Sequence, residues 1–331
     1  MLPIGVVIPT RNAASLLPDH LTALRPWIDE VQEVVVVDSF SKDGTIELIR
    51  AGLRHPRLRI FEHPPGLYQS WNHGIQQIQA EYCYISTVGE TIALDGLKHM
   101  AEVMDRLRCD VVISRPEFVD LHGHPMRPPR WPINDILESL AVSDPVVLAG
   151  ARLFLLTLAN YREAILGSSA SNLYRTRCLQ DNPFPSDYGT AGDGGWGLAN
   201  CLKIRLGVTP RSFSTFREHP KSYSRAEYAV DQLGRKMFER ICRTYQEAAA
   251  INPEFASAAK QLQVDRIIEL LDRQRGFQQQ LEECRSARVP WVLKPAAWQA
   301  RWRRDGEARE IAQLKHAGLA LLGSQASNSG A

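Results

Sequence analysis

The sequence predicts an α/β fold: a doubly wound, mainly parallel sheet flanked by helices, followed by a helical C-terminal extension. Three observations predict it. Short β-branched runs alternate with stretches of helical period over residues 4–114. One of those runs, Val34–Val37, is apolar on both faces, as a parallel strand covered on two sides must be. From residue 226 to about 320 only helical period is left.

In chain order, Ile4–Pro9 reads as the first strand, and Leu17, Leu21 and Leu24 mark the helix after it. Glu33–Asp38 is the second strand. Asp43, Gly44 and Thr45 open a helix that turns Ile46, Ile49 and Leu53 inward, with Asp43 suited to turn and cap. Arg57–Phe61 is the third strand, followed by the stripe Leu67, Trp71, Ile75, Ile78. Tyr82–Ser86 is the fourth, Leu97, Met100 and Met104 mark a helix, and Asp110–Ser114 is the fifth. Ligands of such a sheet bind at the carboxyl ends of its strands. Those ends hold Pro9–Asn12, Asp38 with Ser39, and Thr87–Glu90.

Beyond Arg115 the pattern loosens into a loop with five prolines and two histidines between Pro116 and Pro132, a length usually kept for substrate contact. Pro145–Ala159 reads as one buried helix, capped by Ser143 or Asp144 with Pro145 in its first turn. At fifteen residues, with Arg152 inside it, that helix is too short and too charged to cross a bilayer. Gly192-Asp193-Gly194-Gly195-Trp196 is a glycine-rich turn running into an amphipathic helix. The last nine residues read as a disordered tail.

Composition excludes several classes. With 39 basic against 37 acidic residues, no global field recruits nucleic acid or a membrane. The six cysteines show neither metal spacing nor a disulfide framework and fit a reducing cytoplasm. No signal peptide is read at the N-terminus. The segment 285–304 holds six basic residues, no acids, and Trp291, Trp298 and Trp302. It reads either as a tryptophan face packed on the main domain or as an interfacial helix docking on the inner face of a membrane.

Three stretches, GVVIPTRN, VVVVDSFSKDGT and GLYQSWNHGI, resemble in order and spacing the inverting nucleotide-sugar glycosyltransferases of family 2, which have the GT-A fold. GDGGWG and FREHPKSYS extend the resemblance more faintly to about residue 225. It implies a GT-A domain over 1–225, with a nucleotide-binding half (1–114) and an acceptor-side half (115–225). A helical region (226–322) and the tail (323–331) follow. The implied donor contacts are Pro9, Thr10, Arg11, Asn12, Asp38, Ser39, Gly66, Asn72, Thr87, Val88 and Gly89. Asp38 ends an apolar strand where its carboxylate is expected to need a partner, a ribose or base, or to cap the next helix. Arg11 stands where the family usually has an aromatic on the nucleobase, and a guanidinium plane can also stack.

The family's fourth strand ends in Asp-x-Asp, which holds Mg²⁺ or Mn²⁺ against the donor diphosphate. Here the positions are Thr87, Val88 and Gly89. Glu90 and His219 are the remaining candidate ligands, and one carboxylate with one imidazole makes a poor magnesium site. Arg217, His219, Lys221, Ser222 and Arg225 are the candidates to neutralise the diphosphate instead, against a bland reading as a solvated basic loop. Asp193 matches the family's catalytic base, with a helix-capping aspartate as the structural alternative. Arg130, Trp131 and Trp196 are candidate acceptor contacts, although for Trp196 core packing as an anchor of its helix is the favoured reading.

The function implied is transfer of a sugar from a nucleoside-diphosphate donor to a hydroxyl of a glycan or lipid-linked glycan, in the cytoplasm. A sugar-nucleotide-binding or scaffold protein that has lost turnover is the alternative. Nucleotidyl transfer is disfavoured, because no glycine-rich, lysine-containing phosphate loop follows the first strand.

Overall fold

A computed structural model describes every residue except 121, 128–130, 141–142, 164, 218–229, 287–294 and 329–331. The first half runs β1 (Leu2–Thr10), α1 (Leu17–Leu24), β2 (Val31–Asp38), α2 (Thr45–Gly52), β3 (Leu58–Glu62), α3 (Leu67–Gln77), β4 (Tyr82–Ile85), β5 (Thr91–Ile92), α4 (Leu94–Leu107), β6 (Val111–Ser114) and β7 (Glu117–Val119). It continues with α5 (Pro132–Leu140), β8 (Val146–Leu148), α6 (Gly150–Ala159), β9 (Asn172–Arg175), α7 (Thr176–Asp181), α8 (Gly192–Asn200), β10 (Leu206–Thr209) and β11 (Ser214–Arg217). Four helices complete it: α9 (Val230–Ile251), α10 (Pro253–Gln261), α11 (Val264–Ser286) and α12 (Pro295–Asn328). All five strands expected in the first half are present.

The large sheet has the order β3-β2-β1-β4-β9-β6-β10-β8. Its left side, β3 through β4, is parallel throughout, with Thr10 opposite Asp38 and Val7 opposite Ile85. β9 enters antiparallel between β4 and β6, and β8 closes the far edge antiparallel to β10. Val34–Val37 are fully buried, as their two-sided apolarity requires. A small sheet, β5-β11-β7, stands at the carboxyl end of β4.

The segment Pro145–Ala159 is not one helix. Val146–Leu148 pairs with β10, and Gly150, at φ +53°, turns the chain into α6. Left-handed backbone is open to glycine at little cost, so the break falls there. Periodicity cannot separate a short buried strand from a buried helix, which is why the sequence read as continuous.

Leu153–Leu158 are buried all round α6, because the helix is covered on one side by the sheet and on the other by the C-terminal helices. Phe154 packs its ring 5.9 Å from Tyr245 of α9 and 5.4 Å from Phe255 of α10. Thr244 donates its hydroxyl to the Leu198 carbonyl at 2.9 Å. Helix α12 takes in most of the stretch 323–331 expected as a disordered tail, ending at Asn328. No helix among the described residues is long and apolar enough to cross a membrane. Trp291 and the side chain of Trp298 lie outside the described residues, while Trp302 is 75% exposed and does not pack on the main domain.

Candidate active site

The strand order creates a crevice. The chain steps outward from β1 to β2 and β3, then returns to β4 on the other side of β1, so the loops leaving β1 and β4 diverge at the carboxyl edge. The rim of this crevice is Thr10–Asn12 on one side and Ser86–Glu90 on the other.

On the β1 side the loops are knitted together. The Thr10 hydroxyl donates to Asp38 Oδ1 at 2.9 Å, and Ser41 donates its hydroxyl to Oδ1 at 2.6 Å and its N–H to Oδ2 at 2.8 Å. Asn12 donates its N–H to the Ser41 hydroxyl at 2.8 Å and accepts from the Lys42 N–H at 3.0 Å. Asp43 accepts from the Ala14 N–H and from the Thr45 hydroxyl, which holds its pKa below the usual range. Asp38 is only 1% exposed, and both of its oxygens are satisfied inside the protein. This corrects the expectation of a carboxylate in need of a ligand: Asp38 braces the two loops, and it is not a helix cap. Ser39 is likewise buried, its hydroxyl 2.9 Å from that of Ser70 on α3.

On the β4 side sit two acids. Glu90 follows the Thr87–Glu90 turn and accepts from the Ser168 hydroxyl, while Thr87 lies 3.1 Å from the Ser169 hydroxyl. Asp193, in the first turn of α8, accepts from the Gly194 N–H at 2.8 Å and from the Tyr68 hydroxyl at 3.0 Å. Burial pushes Asp193 up to about 6, against the lowering effect of those donors. Burial also pushes Glu90 up to about 7, with the negative charge of Asp193 adding to the rise. The charge of Asp193 thus bears on Glu90. Tyr68 is raised by burial and by the same Asp193 charge.

Asp193 is not the cap of α8; Ala191 occupies that position without a side-chain bond. Gly192, just before Asp193, is closely packed. A Cβ on Gly192 would meet the Tyr68 ring at 2.4 Å and the Pro185 carbonyl at 2.6 Å, so the glycine lets α8 close on α3. Tyr68, absent from the candidates read in the sequence, is the residue that orients Asp193. Its signal was available as the aromatic two positions after Gly66.

Residues 5–156 match the sequence model of Glycosyl transferase family 2. Over that stretch the chain is similar to the family 2 glycosyltransferases. Among solved structures, S. aureus TarS 1-349 in complex with UDP-GlcNAc is similar over 96% of this chain and 92% of that one, at 18% identity and a TM-score of 0.56. TarS 1-349 in complex with UDP is similar over the same shares, at 18% identity and a TM-score of 0.50. At that identity the likeness is one of fold, which is GT-A. No curated protein sequence matches the chain.

The other expected site residues divide. Trp196 is 0% exposed, wedged among Tyr174 and Phe184 with its indole N–H on the Asn182 carbonyl, so it cannot touch an acceptor. Asn72 uses both ends of its amide on the Phe184 backbone, at 2.8 and 2.9 Å, and Gly66 precedes α3 as its N-cap. Trp131 is half-buried, 4.9 Å from Phe118 and 5.5 Å from Phe216, against the Gly167 backbone. Arg130 lies outside the described residues, as do His219, Lys221, Ser222 and Arg225.

Arg217 ends β11, whose antiparallel register with β5 (Thr215 opposite Thr91) runs it toward the Thr87–Glu90 turn. It pairs with Asp19 at 3.4 Å, and its Nε is buried without a hydrogen-bond partner among the described residues. The donor set for a divalent cation at this rim is poor: Thr87 and Gly89 offer only neutral oxygens, and Thr87 and Glu90 are engaged by serine hydroxyls. Among the described residues no group of three or more His, Cys, Asp or Glu could hold a metal ion.

Proposed function

We propose that the protein transfers a sugar from a nucleoside-diphosphate donor to a hydroxyl of a glycan or lipid-linked glycan, with inversion and without a tightly held metal. The observation that supports this reading is Asp193 in the first turn of α8, half-buried and held by the Tyr68 hydroxyl and the Gly194 N–H, with Glu90 in the turn after β4 feeling its charge. The acceptor oxygen attacks the anomeric carbon as the bond to the diphosphate breaks, and the nucleoside diphosphate leaves with the electron pair. Asp193, with its pKa near 6, is ionised at neutral pH yet basic enough to take the acceptor's proton in the transition state. Tyr68 fixes the carboxylate's orientation through Oδ1.

Pro9, Thr10, Arg11, Asn12, Thr87, Val88 and Gly89 line the donor side, with Asp38 and Ser39 holding that side's shape from beneath. Arg217, with its unpartnered Nε, is the described part of the cationic supply for the departing diphosphate. Trp131, beside the Gly167–Ser171 loop, serves the acceptor side. Because TarS, which shares the fold, was solved with UDP-GlcNAc, uridine diphosphate sugars are the donors to try first.

Release of nucleoside diphosphate from such donors is the test, run with and without EDTA. Turnover that survives the chelator supports this reading. Loss of turnover with the chelator would return a metal to Glu90 and His219, and no turnover with any donor would favour the binding-protein alternative.

The pH dependence follows from the same geometry. Only ionised Asp193 can accept a proton, so kcat is expected to be level above about pH 7 and to fall as pH drops through about 6. A flat profile down to pH 5 would exclude Asp193 as the base.

A further inference from the structure

We propose that Phe40 is the platform on which the donor's nucleobase stacks; this rests on the nucleotide-dependent reading above and names the residue that holds the base. Six large hydrophobic side chains among the described residues are exposed. Phe40, 48% exposed, is the one among them that directly follows a strand of the large sheet at its carboxyl edge. It is also held in left-handed backbone, at φ +53°. That conformation is unfavourable for a bulky residue with a Cβ, and such strain persists only where neighbours enforce it.

The neighbours do enforce it. Ser39 donates its N–H to the Thr10 carbonyl at 2.8 Å, and Ser41 is tied to Asp38 through both its N–H and its hydroxyl. Phe40 is the one residue left between two anchored ones. On the adjoining loop Arg11 stands in the same position, exposed between Thr10, bonded to Asp38, and Asn12, bonded to Ser41 and Lys42. The buried web around Asp38 thus carries two exposed planar side chains on the neighbouring loops that leave the carboxyl ends of β1 and β2.

A flat, weakly hydrated ring is the ligand such a surface suits. Every nucleobase offers a π-face to an aromatic side chain, and the guanidinium of Arg11 can cover the opposite face. Stacking of this kind supplies affinity with little preference among bases.

The test is titration calorimetry with UDP and GDP on the wild type, Phe40→Gly and Phe40→Tyr, together with thermal melting of each free protein. Glycine removes the ring and relieves the backbone, so Phe40→Gly is expected to melt higher than the wild type and to bind both nucleotides about tenfold or more weakly. Phe40→Tyr keeps the ring and is expected to keep wild-type affinity. Unchanged affinity in Phe40→Gly would overturn the proposal, as would equal losses in both variants with lowered melting temperatures, which mark a packing role. A wild type that binds neither nucleotide would overturn the functional reading itself, and that outcome is seen before any variant is compared.

Discussion

Asp193→Asn is expected to lower kcat by about 10²–10⁴-fold, the usual contribution of a positioned general base, while the protein stays folded. Asparagine is close to isosteric, and its carbonyl oxygen can still accept from the Gly194 N–H and the Tyr68 hydroxyl. The fold is expected to gain rather than lose. A carboxyl whose native pKa is raised binds its proton more tightly folded than unfolded. Native stability therefore declines as pH rises from the unfolded value, near 4, through about 6. Above that range the full penalty of the buried charge applies, and a neutral amide avoids it. Turnover assays and thermal melts of both proteins at pH 7.5 check the two signs together. Full activity in the variant, or a clear loss of stability with activity, would contradict the role assigned.

Trp196→Ala is expected to cost about 3–5 kcal/mol of stability, the range for truncating a large core aromatic. The indole is 0% exposed and packs against Phe184 at 5.7 Å and Tyr174 at 6.4 Å, and its loss also leaves the Asn182 carbonyl without its donor. Urea titration measures this directly. A shift equivalent to less than about 1 kcal/mol would be inconsistent with a buried aromatic of this kind. Because Trp196 lies one turn beyond Asp193 on α8, loosening it also unsettles the carboxylate.

The first half of the fold was legible because each of its strands is a compact β-branched run bounded by helical period. Strands β8, β9 and β10 were not read as strands. Val146–Leu148 merges with an apolar helix, and Asn172–Arg175 is four mixed residues whose pairing partners lie far away in sequence. In the site, Asp193 and Glu90 were visible as lone acids in telling places, whereas the influence of one on the other exists only in the folded chain. Asp38 was found for an incomplete reason. Its partners, Thr10 and Ser41, lie within reach only once β1 and β2 pair in register. For Trp196 the packed reading is the one the structure bears out, since a sequence shows the chemistry of a side chain but not which way it faces.

Helix α6 has a further consequence. Its outward face finds cover only in segments far down the chain: Phe154 against α9 and α10, and Leu155 against α12, where Gly318 permits a close approach. A chain cut after residue 225 would leave that oily face bare to water. The portion before residue 226 thus borrows its waterproofing from the region that the recognisable motifs never reach, and neither portion is a self-sufficient parcel.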